Sequence, residues 1–230
     1  MFNLQNRVAV ITGASSGLGM QMAQGLAGQG ADVVLLARRE AKLQAVAAEI
    51  ERKYSVKAFP VVCDVTDLKS VQAAVKAEEM EDDVWQGNIE IDLTGVFRVA
   101  REFGKLMLKA GYGRIINISS MYGIVGNRES PAAAYHAAKG GVVNLTRALA
   151  AEWAARGVTV NCICPGYFET ELTIDTLRTE SFTDYMKRSV PLQRYGNAGE
   201  LNAAACFLAS EEASYVTGVI LPVDGGYTAI

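Results

Sequence analysis

Apolar residues along the chain fall into two kinds of run that alternate. Arg7-Val8-Ala9-Val10-Ile11-Thr12 is short, nearly continuous and rich in β-branched residues, the pattern of a strand buried on both faces. From about 18 to 29 apolar residues recur at helical spacing instead. Residues 31–37 read as a second buried strand, 40–54 as an amphipathic helix and 57–63 as a third strand. Such alternation builds a parallel sheet with right-handed crossovers. Residues 66–79 then read as a helix capped by Thr66 or Asp67, and 82–110 as a second, long helix, with no strand between the two. A strand is expected at 114–119 and a helix at 131–156, with Pro131 near its first turn and Gly157 as its stop. A strand at 157–164, a polar irregular stretch at 167–195, a helix at 198–210 and a last strand at 219–223 complete the chain. No repeat or linker interrupts it. The expectation is an α/β Rossmann-type, doubly wound parallel sheet in a single domain spanning 1–230.

The turn after the first strand carries the first chemistry. Thr12-Gly13-Ala14-Ser15-Ser16-Gly17-Leu18-Gly19 links a strand to a helix. Glycines suit a backbone that must approach a pyrophosphate closely, and the helix N-terminus offers free N–H groups to the anion. Alone, a glycine cluster is a common tight turn; the strand before it and helix after it give it weight. Here the chain resembles the short-chain dehydrogenase/reductase family, whose nucleotide-binding pattern is Thr-Gly-x-x-x-Gly-x-Gly. The resemblance covers nearly the whole length, and it implies a nicotinamide oxidoreductase with Gly13, Ser15, Ser16, Gly17, Leu18 and Gly19 at the cofactor.

A dinucleotide site sets the adenosine ribose at the end of the second strand, where an acid favours NAD and an arginine favours NADP. That strand ends Leu35-Leu36-Ala37-Arg38-Arg39. Ala37 stands where NAD-preferring relatives commonly carry Asp. Arg38 is the best candidate for the 2′-phosphate, with Ser15 and Arg39 assisting, so NADP(H) is preferred and NAD(H) is left open. Asp64-Val65 resembles the family's adenine-contacting pair.

Tyr135-His136-Ala137-Ala138-Lys139 lies in a predicted helix, and a spacing of four puts Tyr135 and Lys139 on one face. Free tyrosine loses its proton only near pH 10, and a neighbouring ammonium favours the phenolate. Tyr135 then gives a proton to a carbonyl or takes one from an alcohol. A Tyr–Lys pair at this spacing is common; its weight comes from Asn117-Ile118-Ser119-Ser120 at a strand end, where ligands bind in open α/β sheets. The resemblance makes Ser120 the serine that holds the substrate oxygen, with Ser119 the second choice. It also puts Lys139 on the nicotinamide ribose, Pro165 and Gly166 beside the nicotinamide, and Thr170 at its carboxamide. Asn161 reads as a structural polar group in the loop before them. His136 points off the Tyr135/Lys139 face and reads as structural.

Two departures from the family pattern stand out. Asp92, in Ile91-Asp92-Leu93-Thr94-Gly95, replaces a catalytic Asn that holds a water in the proton relay. More largely, relatives carry a strand and an Asn-Asn-Ala-Gly turn before that helix, and this chain has neither. A strand with its turn and return loop needs on the order of 25 more residues than Asp64 to Asp92 supply. Either the sheet lacks one central strand, leaving unpaired backbone and placing the cofactor site at risk, or the chain rearranges so that another strand closes the gap. A catalytically impaired or non-enzymatic relative is the alternative reading.

Bulk composition narrows the rest. A net charge of −3 gives no reason to expect nucleic acid or an anionic membrane as partner. No apolar run is long enough for a membrane span and no signal peptide is read at the start, so the cytoplasm is the expected compartment. His136 reads as structural and no other histidine is present to act as base, which excludes a Ser-His-Asp hydrolase, and the four cysteines, Cys63, Cys162, Cys164 and Cys206, fit no zinc spacing and read as buried thiols. The substrate is expected to be a small carbonyl or alcohol. The stretch 167–195 is its expected lid, and the pattern there is most similar to gluconate 5-dehydrogenase-like members. Arg128, Arg178, Lys187 and Arg194 are candidates for a substrate carboxylate. Apolar faces on helices 82–110 and 131–156, with Gly140-Gly141 allowing close approach, and the family's habit of pairing them point to a homodimer or homotetramer.

Overall fold

The computed structural model describes residues 2–64, 77–127, 132–171 and 173–230. Val65, most of the helix expected at 66–79 with its caps, Arg128 and Pro131 lie outside them. Two compact units form: Met1–Asp64 with Gly166–Ala213 and Asp224–Ile230, and Val65–Pro165 with Ser214–Val223.

In the first unit β1 (Val8–Thr12), β2 (Asp32–Ala37) and β3 (Ala58–Val62) make a parallel sheet in the order β1-β2-β3. Val33 and Leu35 of β2 are wholly buried. They pack with Leu43, Val46 and Ile50 from α2 (Glu40–Tyr54) and Ala23 and Leu26 from α1 (Gly17–Ala27). This is the apolar stripe that the helical spacing marks out. α6 (Asn202–Ala209) packs on α1, where Gly25 leaves no room for a side chain: a Cβ there would lie 2.7 Å from Asn202 Cγ.

The second unit holds β4 (Gly113–Ile118), β5 (Val158–Pro165) and β6 (Ile220–Val223), parallel and in that order. Every residue of β5 is buried. Asn161 lies in this strand, not in a loop: its amide donates to the Val216 carbonyl and accepts from the Val219 N–H. It is a structural polar group, as expected. α5 (Ala133–Trp153) covers the sheet through Val142, Val143, Leu149 and Trp153.

The helix expected over 82–110 is α3 (Asp82–Ile89) and α4 (Gly95–Ala110) joined without a break by a π-helical turn, Glu90–Thr94. Gly141 makes its close approach to this turn within the chain, where a Cβ would meet Leu93 Cδ2 at 2.7 Å.

Among the described residues the strands form two three-stranded sheets and not one continuous sheet. β1 has β2 as its strand partner and β4 has β5, so each ends its sheet. The parallel α/β architecture is as expected. Val8, on the end strand β1, is 64% exposed. No helix among the described residues is long and apolar enough to cross a membrane.

Candidate active site

The first unit contains the phosphate-binding turn. Gly17 has φ +57, a left-handed conformation that costs glycine little. Gly19 is required by contact: a Cβ would stand 2.5 Å from the Gly13 carbonyl oxygen. Ser16, the N-cap of α1, makes no side-chain cap, so the first N–H groups of the helix face the turn without that partner. The turn therefore fits a pyrophosphate. Gly13 and both serines lie in this turn, and Leu18 is in the first turn of α1.

Beside it, the Arg39 guanidinium donates to Ser15 Oγ at 3.2 Å and Ser16 Oγ at 2.5 Å. Arg38 is exposed and makes no ion pair or hydrogen bond among the described residues. The two arginines thus differ in their contacts: Arg39 holds both serines, and Arg38 is exposed. Asp64 is exposed.

The segment after Pro165 belongs to the same unit. Gly166 has no space for a side chain, since a Cβ would lie 2.7 Å from Asp224 Cα. Thr170 Oγ1 shares a hydrogen bond of 2.9 Å with Thr173 Oγ1, and a Cβ at Gly17 would stand 3.7 Å from Thr170 Cγ2. Thr170 is therefore held against the phosphate turn. The cations considered for a substrate carboxylate are engaged locally: Arg178 with Glu169 at 3.3 Å, Lys187 with Asp184 at 3.1 Å, Arg194 with Glu200 at 2.7 Å. The Arg194 guanidinium and the Asn197 N–H lower the Glu200 carboxyl to about 2.

The second unit contains Tyr135, Lys139, Asp92 and Ser120. Tyr135 and Lys139 share one face of α5, with Lys139 Nζ 5.5 Å from the Tyr135 ring centroid. Lys139 Nζ also lies 3.0 Å from Asp92 Oδ1, a half-sheltered ion pair with side chains 11% and 18% exposed. Asp92 reaches it from the π turn, a distortion that often marks functional sites. So Asp92 holds Lys139 directly, which the sequence suggested only through a water.

The structure separates the two serines by task. Ser119 Oγ donates to the Lys139 carbonyl at 2.8 Å. Ser120 Oγ accepts from the Tyr122 N–H at 3.1 Å, capping the turn Met121–Gly123, and this leaves its own proton to donate. His136 stacks on Tyr122 with centroids 4.7 Å apart, and its Nδ1 lies 2.8 Å from the Ala132 carbonyl, in keeping with a structural role. Cys162, Cys164 and Cys206 are buried, but Cys63 is only half-buried, because it follows the edge strand β3. The Cys162–Cys164 hydrogen bond, 3.9 Å between sulfurs, and burial push the Cys162 thiol well above its usual range. No cluster among the described residues would hold a metal.

A residue that sequence reasoning passed over is Gln21, buried on α1 and bonded at both ends of its amide to the chain around 169 and 199. Its signal was faint: one amide within an otherwise apolar helical stripe.

Two family models match the chain. One described as "short chain dehydrogenase" matches residues 7–79, and one described as "Enoyl-(Acyl carrier protein) reductase" matches residues 75–228. Galactitol 2-dehydrogenase (L-tagatose-forming) of Cereibacter sphaeroides is 39% identical, covering 99% of this chain and 97% of its own. Gluconate 5-dehydrogenase of Gluconobacter oxydans is 35% identical with the same coverage. The crystal structure of a gluconate 5-dehydrogenase from Burkholderia cenocepacia in complex with NADP and tartrate matches with a TM-score of 0.92 at 34% identity, covering 100% of this chain and 98% of that one. The alignment with the galactitol enzyme runs to 251 positions against a chain of 230, so that relative has at least 21 residues (251 less 230) with no counterpart here.

Proposed function

The chain belongs to the short-chain dehydrogenase/reductase family, a family of oxidoreductases, and we propose that within it the protein is an NADP(H)-dependent enzyme interconverting a ketone and a secondary alcohol on a polyol or sugar acid. The observation that carries this reading is the cluster in the second unit: Tyr135 and Lys139 on one helical face, Lys139 paired with Asp92, and Ser120 with a proton to donate. NADP in the gluconate 5-dehydrogenase complex supports the choice of cofactor, as does Arg38 at the end of β2. The galactitol and gluconate enzymes support the substrate class.

The nicotinamide supplies or accepts the hydride. Gly13, Ser15, Ser16, Gly17, Leu18 and Gly19 would hold the pyrophosphate, Arg38 and Arg39 the 2′-phosphate, Asp64 and Val65 the adenine, and Pro165, Gly166 and Thr170 the nicotinamide end. Ser120 donates a hydrogen bond to the substrate oxygen. Tyr135 gives that oxygen a proton in reduction and removes it in oxidation. The Lys139 ammonium stabilises the phenolate that results, and Lys139 would also hold the nicotinamide ribose. Asp92 keeps Lys139 in place from the π turn.

Residues 167–195 serve as the lid over the substrate. The residues that the galactitol enzyme has in excess are assigned to the stretch between Asp64 and Asp92, where the sequence pattern lacks a strand. The protein acts in the cytoplasm on a small molecule, as a homodimer or homotetramer. Phe97 and Leu106 on α4, 38% and 65% exposed, favour such pairing.

Replacing Tyr135 tests the mechanism. Tyr135→Phe keeps the ring and removes the proton, so kcat is expected to fall by roughly 10²–10⁴ while NADPH affinity stays within about threefold. Unchanged turnover in this variant would overturn the reading.

A further inference from the structure

We propose that Gln21 is a positioning residue that clamps both ends of the segment 167–199 to the cofactor helix α1. The inference rests on the reading of that segment as the substrate lid.

Gln21 lies two residues after Gly19 and is 8% exposed. A buried amide needs both an acceptor and a donor as partners. Gln21 takes them from two distant backbone groups. Its Nε2 donates to the Glu169 carbonyl at 3.2 Å, where the segment departs. Its Oε1 accepts from the Gly199 N–H at 3.0 Å, where the segment returns. A carbonyl only accepts and an N–H only donates, so the partners fix the orientation of the amide.

The surroundings show that this meeting of the two ends is built. Glu169 N donates to the Gly196 carbonyl at 3.0 Å, and Gly196 N to the Tyr167 carbonyl at 2.8 Å. Gly196 abuts the Phe168 ring, leaving no space for a Cβ. From α2, Lys42 pairs with Glu171 at 2.9 Å. Between Glu169 and Glu171 lies Thr170, whose methyl faces Gly17. Gln21 thus sets the distance from the phosphate turn to the residue assigned to the carboxamide. Other side chains fail at this task. Glutamate as carboxylate only accepts, methionine offers no N–H, and asparagine is one methylene too short.

Full-length Gln21→Met and Gln21→Glu proteins test this by regional hydrogen exchange together with steady-state kinetics. In Gln21→Met, amides of 167–199 are expected to exchange roughly tenfold faster while β1 and β2 keep wild-type rates. Its kcat is expected to fall about tenfold, with the NADPH dissociation constant within about threefold. Gln21→Glu preserves shape but turns a carboxylate toward the Glu169 carbonyl, so it should be at least as impaired as Gln21→Met. A space-filling role predicts instead that Gln21→Glu resembles the wild type. Wild-type exchange in 167–199 for Gln21→Met would overturn the clamp whatever the turnover. A uniform rise that includes β1 and β2 would also overturn it, as a fold-wide effect. Faster exchange with wild-type kcat would overturn the positioning role and, with it, the reading of this segment as a lid. Because exchange is measured without substrate or cofactor, failure of the clamp and failure of the enzymatic reading are distinguishable.

Discussion

Single residues divide the work finely at this site. Neighbouring pairs that look interchangeable in the chain do different things. Ser119 spends its proton on the Lys139 carbonyl, whereas Ser120 accepts from a backbone N–H and keeps its own. Arg39 is bound to Ser15 and Ser16, whereas Arg38 is exposed and without a bonded partner among the described residues. The arginine pair gives a prediction. Arg38→Ala should weaken NADPH about tenfold and leave NADH within about twofold, because it removes one charge-assisted contact to the extra phosphate. Arg39→Ala should weaken both cofactors, because the serines of the turn lose the group that orders them. Fluorescence titration of the two variants with each nucleotide checks this; equal loss of NADH and NADPH in Arg38→Ala would remove Arg38 from the 2′-phosphate.

At the scale of elements, legibility followed the distance between partners along the chain. The glycine turn and the Tyr135/Lys139 face could be read directly, because each is complete within one turn or one helix. The Asp92–Lys139 pair depended on the family resemblance, since the π turn that delivers Asp92 keeps helical periodicity and leaves no mark on the apolar pattern. Gln21 was illegible because its partners, Glu169 and Gly199, are far off in the chain and are backbone groups, which every residue has. Of the four cations considered for a substrate carboxylate, Arg178, Lys187 and Arg194 lie in the segment from 167 onward, and local ion pairs take up all three. One of these pairs predicts a pH effect. Arg194 grips Glu200 through two hydrogen bonds, 2.7 and 2.8 Å, and the carboxyl titrates at about 2 in the fold against 4.5 as its ordinary value. A depressed carboxylate contributes stability above its ordinary value and loses it as pH falls through the folded one. The difference in melting temperature between wild type and Glu200→Gln should therefore be constant above about 4.5 and close toward pH 2. It should be small, since the pair is exposed. A difference that does not change with pH would assign the effect to packing.

On the scale of the whole molecule, the alternation of strands and helices was sufficient to predict a parallel α/β fold, and among the described residues the strands make two three-stranded parallel sheets. Cofactor binding is the decisive property of this chain: the glycine turn, Arg38 and Arg39 lie in the first unit, and Tyr135, Lys139 and Asp92 in the second. The measurement that tests the central claim most directly is titration of the purified, cooperatively folding protein with NADPH and with NADH, followed by nucleotide fluorescence. Saturable NADPH binding, tighter than NADH by about tenfold or more through the 2′-phosphate contacts, is the predicted result. Failure of a cooperatively folding sample to bind either nucleotide would contradict it.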